Sequence, residues 1–140
     1  MEDMTRIPPH SVESEQSILG SILLDKEAII TVSETIKPED FYKEAHKIIY
    51  ESMLKLSNKS EPIDLITLTE ELKKQGHLDD VGGISYITSL STIVPTTSNV
   101  KYYADIVKEK SVLRKLIKVS NDLINLGYDS STKIEDVLDK

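Results

Sequence analysis

The stretch VKYYADIVKEKSVLRKLIKVSNDLINL (residues 100–126) contains neither proline nor glycine. Its apolar residues Val100, Tyr103, Ile106, Val107, Leu113, Leu116, Ile117, Leu123 and Ile124 keep a helical period. A helix of that length is well beyond the usual three turns or so of a globular helix. Either it bends near residues 110–112, or part of it projects from the core. Whatever surrounds it must accommodate one rod.

The rest of the chain is cut into shorter pieces that also read as helices. Pro8 and Pro9 exclude helix interior and leave residues 1–10 as an extended arm. Ser11 is placed to cap a helix whose first turn holds Glu13 and Glu15, where the helix dipole favours acids. Ile18, Leu19, Ile22 and Leu23 follow at helical spacing. Asp25 starts a short helix with Ala28, Ile29 and Val32, broken at Pro38. Phe41, Ala45, Ile48, Ile49, Met53 and Leu56 form the stripe of a third helix ending near Asn58. Asp64 caps a fourth with Leu65, Leu68 and Leu72 inward, and Gly76 ends it. Ile84, Ile87 and Leu90 mark a short fifth before Pro95, and Ser98 or Asn99 caps the long one. Gly127 is expected to stop the long helix, GYDSST to turn, and Ile134, Val137 and Leu138 to begin another amphipathic segment of about two turns. Alternating strand patterns are lacking. The expected class is all-α: a globular head of about six helices over residues 11–110, then a protruding helical hairpin over 111–140. A second arm so short reads as one cut within its last helix.

The pair Gly82-Gly83 raises the question of a phosphate cradle. A phosphate loop needs bare backbone N–H groups and a following lysine. None of the 5 glycines precedes Lys, and Asp79 and Asp80 beside the pair would repel phosphate. A helix boundary with a tight turn is the better reading. His10, His46 and His77 belong to no metal-ligand pattern, and cysteine is absent. No Gly-x-Ser-x-Gly motif occurs. No catalytic, cofactor or metal residue is therefore expected in this chain.

A formal net charge of −7 disfavours non-specific nucleic-acid gripping by the whole surface. One local exception is basic: Lys101, Lys108 and Lys115 recur every seven residues and share a face. This is either the solvated side of an amphipathic helix, the favoured reading, or a track for single-stranded nucleic acid. The apolar residues of the hairpin, Leu113, Leu116, Ile117, Ile124, Val137 and Leu138, are candidates for self-association, unless the hairpin folds back on the head. No apolar run is long enough to span a membrane and the start has no signal-peptide core, so a cytoplasmic location is expected.

Four stretches, in order, resemble one known family. RIPPHSVESEQSILGSILLD, IKPEDFYKEAHKIIYESM, EPIDLITLTEELKKQGHLDDVGGISYITSL and VPTTSNVKYYADIVKEKSVLRKLI are similar to the N-terminal domain of bacterial replicative DNA helicases of the DnaB type. The resemblance covers nearly the whole chain. It implies a non-catalytic fragment of an ATP-dependent DNA-unwinding enzyme. The motor domain, with its ATP, magnesium and main DNA contacts, would lie outside this sequence. It implies hairpin pairing, a trimer-of-dimers collar in a hexamer, docking of the helicase-binding domain of primase, and in some members loader proteins. Carried onto matching motifs, the primase-facing candidates are Glu13 in SVESEQ, Tyr86 in GGISY, and Ile117 and Leu123 in the hairpin.

Overall fold

The computed structural model describes residues 6–94, 96–129 and 134–138, with only the backbone of Asp136 and Val137. Seven α-helices are formed among these residues: α1 Val12–Leu24, α2 Ala28–Ser33, α3 Glu44–Asn58, α4 Leu65–Gln75, α5 Gly83–Ile93, α6 Val100–Tyr128 and α7 Ile134–Leu138. Single 3-10 turns precede α3 (Pro38–Asp40) and α6 (Thr97–Asn99). No strand occurs among the described residues, and the class is all-α as expected.

Helix α1 is the centre of the head. It packs against α5 and α6 and also touches α2 and α3, while α3 carries α4. Ser14, Glu15 and Ser17 through Ile22 are buried, so α1 is enclosed on almost all sides. Small residues make that enclosure possible. A Cβ on Gly20 would overlap the backbone carbonyl oxygen of Leu90, so α1 and α5 approach at a point only glycine permits. Around α1 the core closes with Ile29, Val32, Phe41, Ile49, Tyr50, Met53, Leu68, Leu72, Ile87, Leu90 and Val107. Each such side chain contributes about 1.5–3 kcal/mol by leaving water.

Local signals set most boundaries. The Ser11 hydroxyl accepts from Ser14 N–H at the head of α1. Asp64 and Thr67 form a reciprocal capping box on α4. Gly76 closes α4 in the left-handed conformation at φ 75°. Gly82 and Gly83, at φ 107° and 76°, reverse the chain into α5. This is the helix boundary expected of the pair.

Some expectations are corrected. Helix α3 begins at Glu44, and Phe41 lies in the extended link before it with its ring in the core. Ile84 belongs to α5 but faces outward. Asp25 does not open α2 directly; it receives Glu27 N–H, one residue before the helix. Neither Ser98 nor Asn99 makes a side-chain cap for α6, and Thr96 instead accepts from Ser98 N–H. Gly127 does not stop α6, which continues to Tyr128 because glycine remains helical where nothing demands a left-handed turn. Residues 130–133, where the turn of the hairpin is expected, lie outside the described residues.

Candidate functional site

The long helix divides at Ser111. Val100, Ala104, Val107 and Ser111 are buried against the head. Beyond Ser111 the described side chains are exposed, apart from half-buried Arg114 and Leu126. This part of α6 therefore projects, over about 25 Å at 1.5 Å per residue. Leu113, Leu116, Ile117, Leu123 and Ile124 are all exposed, with Val112 and Val119 among them. At 100° per residue these seven share about half of the helix circumference. Arg114, Lys115, Lys118 and Asp122 occupy the other half. A bare apolar face of that width does not fold back on the head in this structure. Leu138 in α7 is also exposed, while the side chain of Val137 lies outside the described residues.

The root of the projecting part is clamped. Asp40 is buried, accepts from three donors and pairs with a further lysine. Lys37 N–H reaches Oδ2 at 2.8 Å and the Ser111 hydroxyl reaches Oδ1 at 2.7 Å. Lys108 Nζ lies 3.4 Å and Lys115 Nζ 3.7 Å from the same carboxylate. Burial alone pushes the Asp40 carboxyl up, but the Lys37 amide, the Ser111 hydroxyl and the Lys108 charge outweigh it and hold the carboxyl below its usual value. Arg114 donates to the backbone carbonyls of Pro9 (2.8 Å) and Asp40 (2.7 Å) and lies over the Tyr42 ring. His10 stacks on the other partner of that contact, Tyr42, at 4.1 Å between centroids. The N-terminal arm is thus tied across the root of α6. The basic stripe is spoken for: Lys108 and Lys115 face Asp40, and Lys101 pairs with Asp105 at 3.0 Å.

The second feature lies at Tyr86. A shallow groove of ≈ 430 Å³ is lined by Val12 and Gln16 of α1, Lys43, Ala45 and His46, and Asp80, Val81, Gly82 and Tyr86 around the glycine turn. The Tyr86 hydroxyl is held by hydrogen bonds to the head. It lies 2.6 Å from His46 Nε2 and receives Gln16 Nε2 at 3.1 Å. His46 is buried, and its Nδ1 lies 2.7 Å from Glu15 Oε1. Glu15 is 1% exposed and also accepts Tyr42 N–H at 2.7 Å and Lys43 N–H at 3.4 Å. With the imidazole proton on Nδ1 every group is satisfied: Nδ1–H donates to Glu15, and the Tyr86 hydroxyl donates to Nε2. Glu15, placed in the first turn of α1 where the dipole favours an acid, is thus a buried acceptor.

Of the primase-facing candidates, Tyr86 lines the groove and Glu13 lies on α1, which supplies part of its wall. Glu13 is exposed on α1, next to Val12 in the groove wall and one turn before Gln16. Ile117 and Leu123 stand apart on the projecting helix, amid the self-association candidates. Sequence reasoning missed Glu15, His46, Gln16, Asp40 and Arg114. The only local hint was an acid and a histidine on apolar helix faces. Among the described residues no group of three His, Asp or Glu could hold a metal, and no helix is long and apolar enough to cross a membrane.

Comparison with known proteins gives the same neighbourhood from several directions. A family profile described as "DnaB-like helicase N terminal domain" matches residues 7–109. A replicative DNA helicase DnaB of Geobacillus stearothermophilus is 46% identical over 135 residues, which are 96% of this chain and 30% of that protein. The chain therefore spans about a third of the length of that relative. The crystal structure of the N-terminal domain of DnaB helicase from Mycobacterium tuberculosis superposes with a TM-score of 0.89 at 40% identity, covering 95% of this chain and 94% of that one. A DnaB-like replicative helicase, described together with its interactions with primase, superposes at 0.74 and 28% identity, over 91% of this chain and 31% of that one.

Proposed function

The chain belongs to the family of DnaB-like helicase N-terminal domains, and on that premise we propose that it is the non-catalytic collar domain of a replicative ring helicase. In this reading it brings subunits together and docks the helicase-binding domain of primase, and loader proteins where the replication system uses them. Unwinding, ATP, magnesium and the main DNA contacts belong to a motor domain of the longer polypeptide. The location is cytoplasmic, where such helicases meet the chromosome. Residues 1–10 serve as an arm, 11–110 as the head, and 111–140 as a hairpin that pairs with its copy in another subunit.

The observation that carries this reading is the apolar half of α6 beyond Ser111, with Leu116 61% and Ile117 47% exposed. A second copy of the same helix has the matching length and apolarity, and two-fold pairing buries both faces at once. Three such dimers would form the collar of a hexamer. Reading Lys101, Lys108 and Lys115 as a single-stranded nucleic-acid track has less support, because each lies beside a carboxylate.

Sedimentation across a hundredfold concentration range tests the pairing. The chain should pass from monomer to dimer, and Leu116→Glu with Ile117→Glu should keep it monomeric while leaving its helicity unchanged. A chain that stays monomeric throughout defeats the pairing. Calorimetric titration with the helicase-binding domain of the cognate primase tests docking, and an absence of heat and complex defeats that part.

A further inference from the structure

We propose that Glu15 and His46 are positioning residues for Tyr86, holding its ring at the rim of the groove in the orientation that a docked partner meets. The inference rests on the primase-docking reading above and assigns new residues to it.

Three observations converge. First, Glu15 and His46 are each 1% exposed, so neither can touch a partner, yet together they form a continuous polar chain to a half-exposed ring. Second, that chain is anchored at its far end. Glu15 accepts two backbone N–H groups from the segment before α3, so its carboxylate, and the imidazole bound to it, are fixed by main chain. Third, Tyr86 is confined at its near end too. A Cβ on Gly82 would sit 2.8 Å from Tyr86 Cβ, so the turn passes close to the root of the side chain. The His46 and Tyr86 rings lie nearly parallel, 11° apart, with centroids at 6.0 Å.

This has a chemical consequence. With the imidazole proton on Nδ1, the single hydroxyl proton of Tyr86 points inward to His46 Nε2, and Gln16 donates to the oxygen. What remains for a partner is the ring itself and one lone pair. At the Tyr86 hydroxyl itself, apart from the charges of Lys43 and Asp80 elsewhere on the groove wall, this favours an apolar or aromatic side chain, or an N–H donor, over a carbonyl or carboxylate. A rigid aromatic anchor binds with less ordering loss than a free one.

The test is a double-mutant cycle on the 140-residue chain, read by calorimetry against the helicase-binding domain of primase. Tyr86→Phe keeps the ring and removes its tether, and should weaken binding about three- to tenfold. His46→Phe removes the other end of that bond and should weaken binding by a similar factor. The double variant should be no weaker than either single one, since both cut the same link. Gln16→Ala, which spares the core, should weaken binding about twofold, and it serves if His46→Phe fails to fold. Tyr86→Ala should weaken binding more than any of these.

The outcomes separate the two layers. No binding by the unaltered chain removes the docking reading and this inference with it. Binding that Tyr86→Ala leaves unchanged overturns the inference while sparing the docking reading. Binding weakened by Tyr86→Ala but indifferent to Tyr86→Phe, His46→Phe and Gln16→Ala shows that the ring needs no positioning, and also overturns it. Effects of Tyr86→Phe and His46→Phe that simply multiply assign His46 a general stabilising role instead.

Discussion

Replacing Asp40 by alanine should be among the most damaging single polar changes in the molecule. The carboxylate is 1% exposed and receives the Lys37 amide, the Ser111 hydroxyl and two lysines. The lysines contribute little: Lys108 is 39% and Lys115 58% exposed, and both regain water when freed, so each pair is worth about 0.5 kcal/mol. The donors matter more. Ser111 is 2% exposed, and its hydroxyl would lose its carboxylate acceptor and keep at best a carbonyl of its own helix, while the Lys37 amide would lose the cap of its turn. Each stranded donor costs about 1–3 kcal/mol, the more exposed amide at the low end. The two donors together cost about 2–4 kcal/mol in Asp40→Ala, and the ion pairs add about 1 kcal/mol. Asp40→Asn keeps one acceptor oxygen and should lose about 1–2 kcal/mol. For a chain of this size, unfolding entropy near 2 cal/mol/K per residue turns the alanine loss into a fall of about 10 °C or more in Tm.

The same site gives a pH signature with a definite sign. The folded carboxyl titrates below its ordinary value, so its contribution is complete above the unfolded pKa of about 3.9 and disappears as pH falls through the folded value. The gap between the unaltered chain and Asp40→Asn should therefore be constant near neutrality and close as pH drops below about 4. Urea unfolding followed by circular dichroism at 222 nm, at pH 7, 5, 4 and 3, measures both quantities. A loss below about 1 kcal/mol for Asp40→Ala, or a gap independent of pH, would refute the clamp as described.

Two further tests concern glycines. Gly20→Ala gains intrinsic helix propensity, worth about 1 kcal/mol, but sets a Cβ against the Leu90 carbonyl oxygen. Because that neighbour is backbone, α1 and α5 must separate, and a net loss of about 2 kcal/mol is expected in urea unfolding; a neutral variant would contradict the close approach. Gly82→Ala and Gly83→Ala form a controlled pair. Both carry the left-handed penalty of about 1 kcal/mol, but only Gly82 has Tyr86 against its missing Cβ. Thermal melts should therefore rank Gly82→Ala below Gly83→Ala, and only Gly82→Ala should shift the aromatic proton resonances of Tyr86.

What the sequence made legible follows the reach of each interaction. Ser11 with Ser14 and Asp64 with Thr67 stand three positions apart, so one short window holds both cap and capped amide. Gly76 and the Gly82-Gly83 turn are conformational demands of single residues, readable without any partner. The all-α class and the length of α6 were equally accessible, because helical period and the lack of breakers are local. Glu15 shows where this stops. An acid in the first turn of a helix is favoured by the dipole whether it is wet or buried, so its position alone cannot separate the two. Its partners Tyr42, Lys43 and His46 lie 27, 28 and 31 positions away.

Asp40 and the lysine stripe mark the same limit from the other side. Spacing places Lys101, Lys108 and Lys115 on one face, and spacing is all that a nucleic-acid track or a solvated face would show. The deciding group is a carboxylate 68 positions from Lys108 and 71 from Ser111. Lys101, paired with Asp105 four residues on, was decidable locally. The other two were not, because a helix face has no meaning as charge until the element packed against it is known. Gly20 obeys the same logic in steric form. In its own helix it looks like a defect in propensity, and only the Leu90 backbone, brought in by α5, makes it the residue that lets α1 occupy the centre. Polar and steric links across the chain, rather than the apolar pattern, fix how the arm, the groove and the root of the projecting helix are held together, and they are the part of this molecule that its periodicity cannot encode.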